Sequence, residues 1–540
     1  MSRQPFSTQI FDSSFRGTDP QVRVLPLPVR LVFASLSGVL VGIPWLSPEL
    51  FWTAWLGWIP LLFALRHASL RAALLCGWVA GTVCFAIASH WMLEFVRYLD
   101  DFSSLVTLGL SIGFWLYAGL SLGLGCVLFR WLTQRLGGWE LLSFPLSLVT
   151  VMGLYPLLFQ THFAEAQVAF LLGLQGVDLG GAKSLDAVMM LCSALAYRVL
   201  SGDGRGRALF GSVAAMAVLV VWFAYGAFSL SAWDERMQDW DVRRIGLVQP
   251  NDPVSLAVLE PARGFSREQP AEMAATRRLA AAGAQVVVWP EARYKGYFDY
   301  FSVRQAYAQA VAESEVALIF HDPQARWVEG EEAHYNSVMH LDPQGQEAGQ
   351  YRKMRRMPFG EYRPAFFTLP GLDWLTNQLF GEFLRPLAAG SEHVEFSVEG
   401  MRVVPKVCYE TAFPVDVANA IGGDAAGKVL LFLSQDNWFG ETTQPFQHRA
   451  MSVVRAVENR VPMVHLINNG PSVVAAPNGR TLASTSAFSR AEVIADLPFS
   501  PSAGGSFYSR HPRMSSSVLY AGLAVLCAWA IAGRWRRRDS

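Results

Sequence analysis

The sequence predicts a polytopic α-helical membrane bundle of eight spans that carries a layered α/β domain between its seventh and eighth spans. Two observations carry the prediction. Eight apolar runs approach the ~20 residues needed to cross ~30 Å of hydrocarbon, and the segment between the last two alternates β-branched runs with helical ones. Charged residues make up 16% of the 540-residue chain against 52% hydrophobic ones, whereas soluble proteins average about 25% charged. Lys+Arg and Asp+Glu balance at 44 each, so there is no basic excess to hold nucleic acid, and that class of partner is set aside.

Residues 1–28 are polar and lack an apolar stretch followed by a small-residue cleavage site, so they read as a cytoplasmic tail and not as a removable signal. Seven spans follow at 29–47, 51–65, 72–93, 105–129, 141–160, 184–200 and 208–230, and the eighth lies at 517–533. The fifth and sixth are the least regular, because Pro145, Pro156 and the polar stretch from Thr161 to Lys183 interrupt them. Arginines gather before the first span and in alternate loops (Arg66 and Arg71, Arg130 and Arg135, Arg198, Arg205 and Arg207), and again in the tail at Arg534, Arg536, Arg537 and Arg538. The other loops are acidic or neutral. The positive-inside rule then puts both termini in the cytoplasm and the segment 231–516 outside. The expected division is a tail (1–28), a seven-span region (29–230), an exported domain (231–516), and a last span with its basic tail (517–540).

In the exported segment, strands are expected at 243–249, 284–289, 316–320, 336–341, 402–408, 428–434, 463–468 and 472–476, with helices at 266–283, 302–314 and 445–460. Cys408 is its only cysteine, the other five lying in apolar spans, so no disulfide forms within the segment and a lone thiol is either inert or kept for reactivity. Cys408 ends an apolar strand. Trp289-Pro290-Glu291 and Tyr351-Arg352-Lys353 end or follow strands in the same way, and strand ends converge on one edge of an α/β sheet. Lys353 stands among Arg352, Arg355 and Arg356 in a chain poor in lysine, which points to a need for a compact charge or a proton carrier. Carboxylate, ammonium and thiol suffice for acyl transfer. Glu291 takes the thiol proton, Cys408 attacks a carbonyl, and Lys353 with the Tyr409 N–H stabilises the oxyanion.

Glu, Lys and Cys in this order, in WPE, YRK and VCYE contexts, resemble the catalytic triad of the nitrilase superfamily. The wider set is VVVWPE (286–291), NSV through YRK (336–353), MPFGEY (357–362), VCYE (407–410), LSQDNWFG (433–440) and RAVENRVP through NNG (455–470). With the flanking spans, this set resembles the membrane-embedded branch of that superfamily, the apolipoprotein N-acyltransferases. The resemblance implies an αββα sandwich, with Glu291 as general base, Lys353 as transition-state stabiliser, Cys408 as nucleophile, and supporting roles for Glu361, Tyr409 and Glu410. It implies two lipid partners in the bilayer, a phospholipid acyl donor and a diacylglyceryl-apolipoprotein acceptor. No cofactor and no metal are expected.

Other features weigh less. Gly119 to Gly123 fits the G-x-S-x-G pattern but lies inside an apolar span, where small residues serve helix packing. His448 and His465 read as structural. Trp438 and Phe439 suit either a core or a loop that dips into the membrane interface. A membrane-tethered amidase would use the same trio with water as acceptor, but would gain nothing evident from eight helices. A transporter or binding scaffold fits poorly with spans so short of ionisable residues.

Overall fold

The computed structural model describes residues 25–536 except 101, 203–206, 255–257, 259, 292–293, 329 and 382–385. The tail predicted over 1–28 falls almost wholly outside the described residues, as do Arg537 and Arg538. Among the described residues, seven helices are long and apolar enough to cross a membrane: Leu27–Trp45, Pro48–Leu65, Leu70–Ala88, Ser104–Leu136, Ala182–Ser201, Leu209–Asp239 and Met514–Ala532. The fifth predicted span differs. Its helix, Glu140–Leu154, has 15 residues and stops at Tyr155, whose extended backbone (φ −70°, ψ 132°) is what the following Pro156 imposes. Residues 155–181 then run through short turns in place of a continued helix. The predicted third span also ends early, at Ala88, and Met92–Asp100 forms a separate helix.

Within the bundle, a Cβ on Gly81 would meet the Gly119 carbonyl oxygen at 2.5 Å, and one on Gly119 would collide with the Thr82 nitrogen. The G-x-S-x-G stretch therefore serves close helix approach.

The catalytic-type domain is a sandwich of two six-stranded sheets. The first is built from β1 (Asp241–Gln249), β2 (Val286–Val288), β3 (Ala317–Val328), β4 (Glu331–Leu341), β5 (Glu347–Arg352) and β12 (Ala491–Phe499), in the order β12-β1-β2-β3-β4-β5. The second takes β6 (Phe396–Val398), β7 (Met401–Val407), β8 (Lys428–Ser434), β9 (Met463–Ile467), β10 (Val473–Ala475) and β11 (Thr481–Ser484), in the order β11-β10-β9-β8-β7-β6. Alternation along each strand sets the layers. Val286 and Val288 of β2 meet Leu431 and Leu433 of β8 between the sheets. Val287 faces outward, to the Ala271–Ala281 and Phe301–Ser314 helices, while Leu430 and Phe432 face Pro414–Ile421 and Gln444–Asn459. The result is the αββα order.

Four strands were not expected from the sequence: β5, β6, β11 and β12. β11 is mostly exposed and β6 has three residues, so neither shows an apolar run. The outer half of the β3–β4 hairpin was missed for the same reason, since its residues are polar and largely exposed.

The sandwich sits on the bundle through the Gln444–Asn459 helix and the residues after it. Gln447 donates to the carbonyls of Ala88 at 2.8 Å and Trp45 at 3.2 Å, and accepts from Trp91 Nε1 at 3.0 Å. Arg455, fully buried, pairs with Glu165 at 3.1 Å and with Glu458 at 3.1 Å. Arg460 bonds Asp178 at 2.9 Å and Gln175 Oε1 at 2.8 Å. The RAVENR stretch thus clamps the irregular 155–181 segment that interrupts the spans.

Candidate active site

Three strands end at one place. β2 leads through Trp289 and Pro290 to Glu291, β5 leads to Lys353, and β7 leads to Cys408. β2 and β3 are parallel, and the antiparallel β3–β4 and β4–β5 pairs return β5 to the same direction. Glu291 and Lys353 therefore project from the same edge of the first sheet, and Cys408 meets them from the second. Each of the three acts electrostatically on the other two.

Cys408 occupies a left-handed backbone conformation (φ 49°) between β7 and the helical turn Cys408–Ala412. A non-glycine residue in that region costs energy, and such strain gathers at functional sites. Two contacts brace it. The His448 ring lies 3.1 Å from the Cys408 carbonyl oxygen through Nε2, and 2.9 Å from Asp436 through Nδ1. Burial works against charge on this imidazole, but Asp436 outweighs burial and raises its pKa above the ordinary value, which favours the form that donates from both nitrogens. Glu410, fully buried, accepts from Tyr351 Oη (2.7 Å), Val407 N (2.8 Å), Met354 N (2.9 Å) and Arg355 N (3.1 Å). It ties the loop after Lys353 to the strand before Cys408, so the ammonium and the thiol hold a fixed relation.

Glu361 accepts from Lys353 Nζ at 2.8 Å, from Asn336 Nδ2 at 2.5 Å and from Met357 N at 2.8 Å. Asn336, on β4, also donates to Glu291 Oε1 at 3.3 Å. Glu291 Oε2 is buried with no hydrogen-bond partner. Burial pushes the Glu291 carboxyl up to about 7 against the pull of Lys353, with Glu361 and Asp436 adding to the rise. Burial and then the Glu291 charge hold the Cys408 thiol well above its usual range, while Lys353 opposes them. Lys353 is itself buried, which disfavours its charge, yet Glu361 and Glu291 outweigh burial and raise its pKa. At neutral pH the resting site thus holds an intact thiol, a carboxyl poised near half ionisation, and a fixed positive charge. That is the distribution needed to move one proton as a nucleophile forms.

The remaining expected residues point toward the bundle. Tyr409 Oη donates to the Leu158 carbonyl at 2.6 Å and its ring meets Phe159. Phe439 is buried against Trp91 and Phe95, with ring centroids 5.1 and 5.2 Å away, and Trp438 packs on the same cluster. Phe439 therefore belongs to a core shared with the Met92–Asp100 helix. Sequence reading gave no role to Asn336, Asp436 or the His448 brace, although the NSV and LSQDNWFG motifs contain the first two. His465 is structural as expected, held by Ser434 at 2.7 Å and Ser452 at 3.0 Å.

Comparison with known proteins agrees with this architecture in both parts. Residues 37–195 match the family model for the apolipoprotein N-acyltransferase N-terminal domain, and residues 244–502 match the carbon-nitrogen hydrolase model. The apolipoprotein N-acyltransferase of Geobacter metallireducens is 28% identical over 516 residues, covering 92% of this chain and 95% of that one. That of Azotobacter vinelandii is 28% identical over 539 residues, covering 94% and 96%. Among solved structures, an amidase of the nitrilase superfamily from Nesterenkonia AN1 is 18% identical, covers 51% of this chain and 96% of that one, and has a TM-score of 0.35. With both family models matched in order, and relatives matched along nearly their whole length, the chain is similar to the apolipoprotein N-acyltransferases from end to end.

Proposed function

We propose that the protein moves a fatty acyl chain from a membrane glycerophospholipid to the α-amino group of the N-terminal diacylglyceryl-cysteine of apolipoproteins, with Glu291, Lys353 and Cys408 as the catalytic residues. In the first half-reaction Glu291 takes the thiol proton and the Cys408 sulfur adds to the ester carbonyl. The oxyanion lies against Lys353 and the Tyr409 N–H. Collapse leaves a thioester, and the departing alkoxide recovers the proton from Glu291 as lysophospholipid. In the second half-reaction the free amine attacks the thioester, Glu291 accepts the amine proton, and that proton returns to the Cys408 sulfur as the amide leaves.

The observation that carries this reading is the direct tie between nucleophile and membrane region. Tyr409, next to Cys408, bonds Leu158 of the segment that interrupts the spans, so the thiol on the sandwich edge is fixed beside the apolar bundle from which an acyl chain would come. The arginine-rich alternate loops support cytoplasmic termini and a catalytic domain, 231–516, on the outer face of the inner membrane. The deciding experiment is intact-protein mass spectrometry after incubation with phospholipid, with and without hydroxylamine. A hydroxylamine-labile acyl adduct, absent in Cys408→Ser and discharged by an amine-bearing lipopeptide, is expected. An adduct discharged only by water would assign the trio to amide or ester hydrolysis, and full transfer by Cys408→Ser would refute the nucleophile.

A further inference from the structure

A polar cavity lies behind the nucleophile turn, away from the thiol. The ends of the Glu140–Leu154, Ala182–Ser201 and Met514–Arg536 helices nearest the sandwich enclose about 180 Å³, closed by residues 412–416 and Arg355. None of Glu291, Lys353 or Cys408 lines it. Its titratable groups are His162, Lys183, Asp186, Arg355, Asp416, Tyr508 and Arg513.

Both carboxylates are already engaged. Asp186 accepts from the Ala164 N–H at 2.7 Å and meets His162 Nδ1 at 3.2 Å, and Asp416 is bridged by Arg355 at 3.1 Å and Lys406 at 3.4 Å. Lys183 and Arg513 are different. The Lys183 ammonium donates to two hydroxyls, Ser516 Oγ and Tyr520 Oη, each at 3.2 Å, and among the described residues no carboxylate pairs with it or with Arg513. Gly153 makes room for this ammonium, since a Cβ there would come within 3.1 Å of Lys183 Nζ. The cavity lining thus carries three cations against two carboxylates, and Lys183 and Arg513 are the two cations that no carboxylate pairs with among the described residues. Below its rim the Met514–Arg536 helix exposes an apolar surface, with Val518 61% and Val525 66% exposed. Charge above and an apolar track below match an anionic headgroup and its acyl chains, and basic pockets between spanning helices hold such headgroups.

We propose that this cavity binds the phosphate of an anionic phospholipid, as a resident lipid distinct from the acyl donor at Cys408. A phosphate seated between Lys183 and Arg513 links three spanning helices to the turn that follows the nucleophile. The chemistry recognised is a negatively charged phosphate, and the exposed apolar track favours a lipid over a free ion as its source.

The test is native mass spectrometry of the full chain in detergent, titrated with diether phosphatidylglycerol, which cannot donate an acyl group. One retained lipid is expected, present also in Cys408→Ser, weakened about fivefold by each of Lys183→Gln and Arg513→Gln, and kept by Lys183→Arg. Unchanged retention in the Lys183→Gln, Arg513→Gln double variant would overturn the proposal. So would equal weakening by Lys183→Arg and Lys183→Gln, which would mark a packing effect. Retention of diether phosphatidylcholine as tight as that of phosphatidylglycerol would remove the anionic requirement, and displacement by inorganic phosphate at lipid-like concentration would make the site one for a free anion. Because neither the probe nor the readout involves acyl transfer, failure here leaves the thioester experiment untouched, and the reverse holds too.

Discussion

Cys408 and Arg460 both adopt left-handed backbone conformations, at φ 49° and 51°, and both lie among buried charges. Their surroundings differ in kind. Arg460 follows the last turn of the Gln444–Asn459 helix, where a left-handed residue is an ordinary ending, and all five of its N–H groups find acceptors: Asp178, Gln175 Oε1, the Gln175 and Pro477 carbonyls, and Ser229. Cys408 follows a strand and faces a carboxyl group with one buried oxygen unpartnered. Burial of charge alone therefore does not mark a reactive site. Asp178, ion-paired to Arg460, docks one region on another even though its Oδ1 is left without a hydrogen-bond partner, whereas Glu291, raised to about 7 by burial and facing a thiol on a strained backbone, retains the capacity to take a proton.

The largest test of that contrast is at the nucleophile. Cys408→Ser is expected to lower acyl transfer by about a thousandfold or more with unchanged thermal unfolding, measured by transfer to a lipopeptide and by melting in detergent. Arg460→Ala should invert the pattern. Leaving Asp178 buried without its partner is expected to cost about 3–5 kcal/mol of stability, read as a lower melting temperature, while the pH dependence of the surviving activity stays as in the wild type. A pH-sensitive Arg460→Ala enzyme would break the distinction between docking charge and reactive charge.

Smaller effects sharpen it. Because Glu291 works as a base only when ionised and burial raises it to about 7, single-turnover acylation should fall as pH drops below about 7, approaching tenfold per unit, and level off above. A flat profile down to pH 5 would remove Glu291 from that role. Asn336→Ala removes a donor to the Glu291 carboxylate, so the acid limb should move upward by less than about one unit, with a modest loss of rate at neutral pH. A downward move would show that Asn336 favours the protonated form instead.

Glu291 and Cys408 were readable in the sequence because each follows a short apolar run and strand ends gather on one edge, whereas Lys353 follows the polar β5 and stood out as a lysine among arginines. The layers were readable from β2 and β8, whose alternation separates the residues facing the other sheet from those facing the helices. Polar or very short strands such as β6 and β11 carry no such signal, because their pairing is made by backbone groups that every residue supplies. The fifth span misled for a local reason, since the apolar run continues to Phe159 while Pro156 has already ended the helix. Asn336 and His448 were not legible as site residues. Each acts through a partner distant in sequence, and neither type in isolation signals which partner it will meet.

Composition and periodicity by themselves determined that the chain crosses a membrane repeatedly and carries an α/β domain with a single thiol, because apolar surface must leave water whatever the detailed packing. The tertiary structure alone decided which charges are satisfied and which are held ready. That outcome depends on distances between residues tens to hundreds of positions apart, such as Asn336 to Glu361, His448 to Cys408 and Arg460 to Asp178, and on the low-dielectric surroundings that make each missing or present partner count.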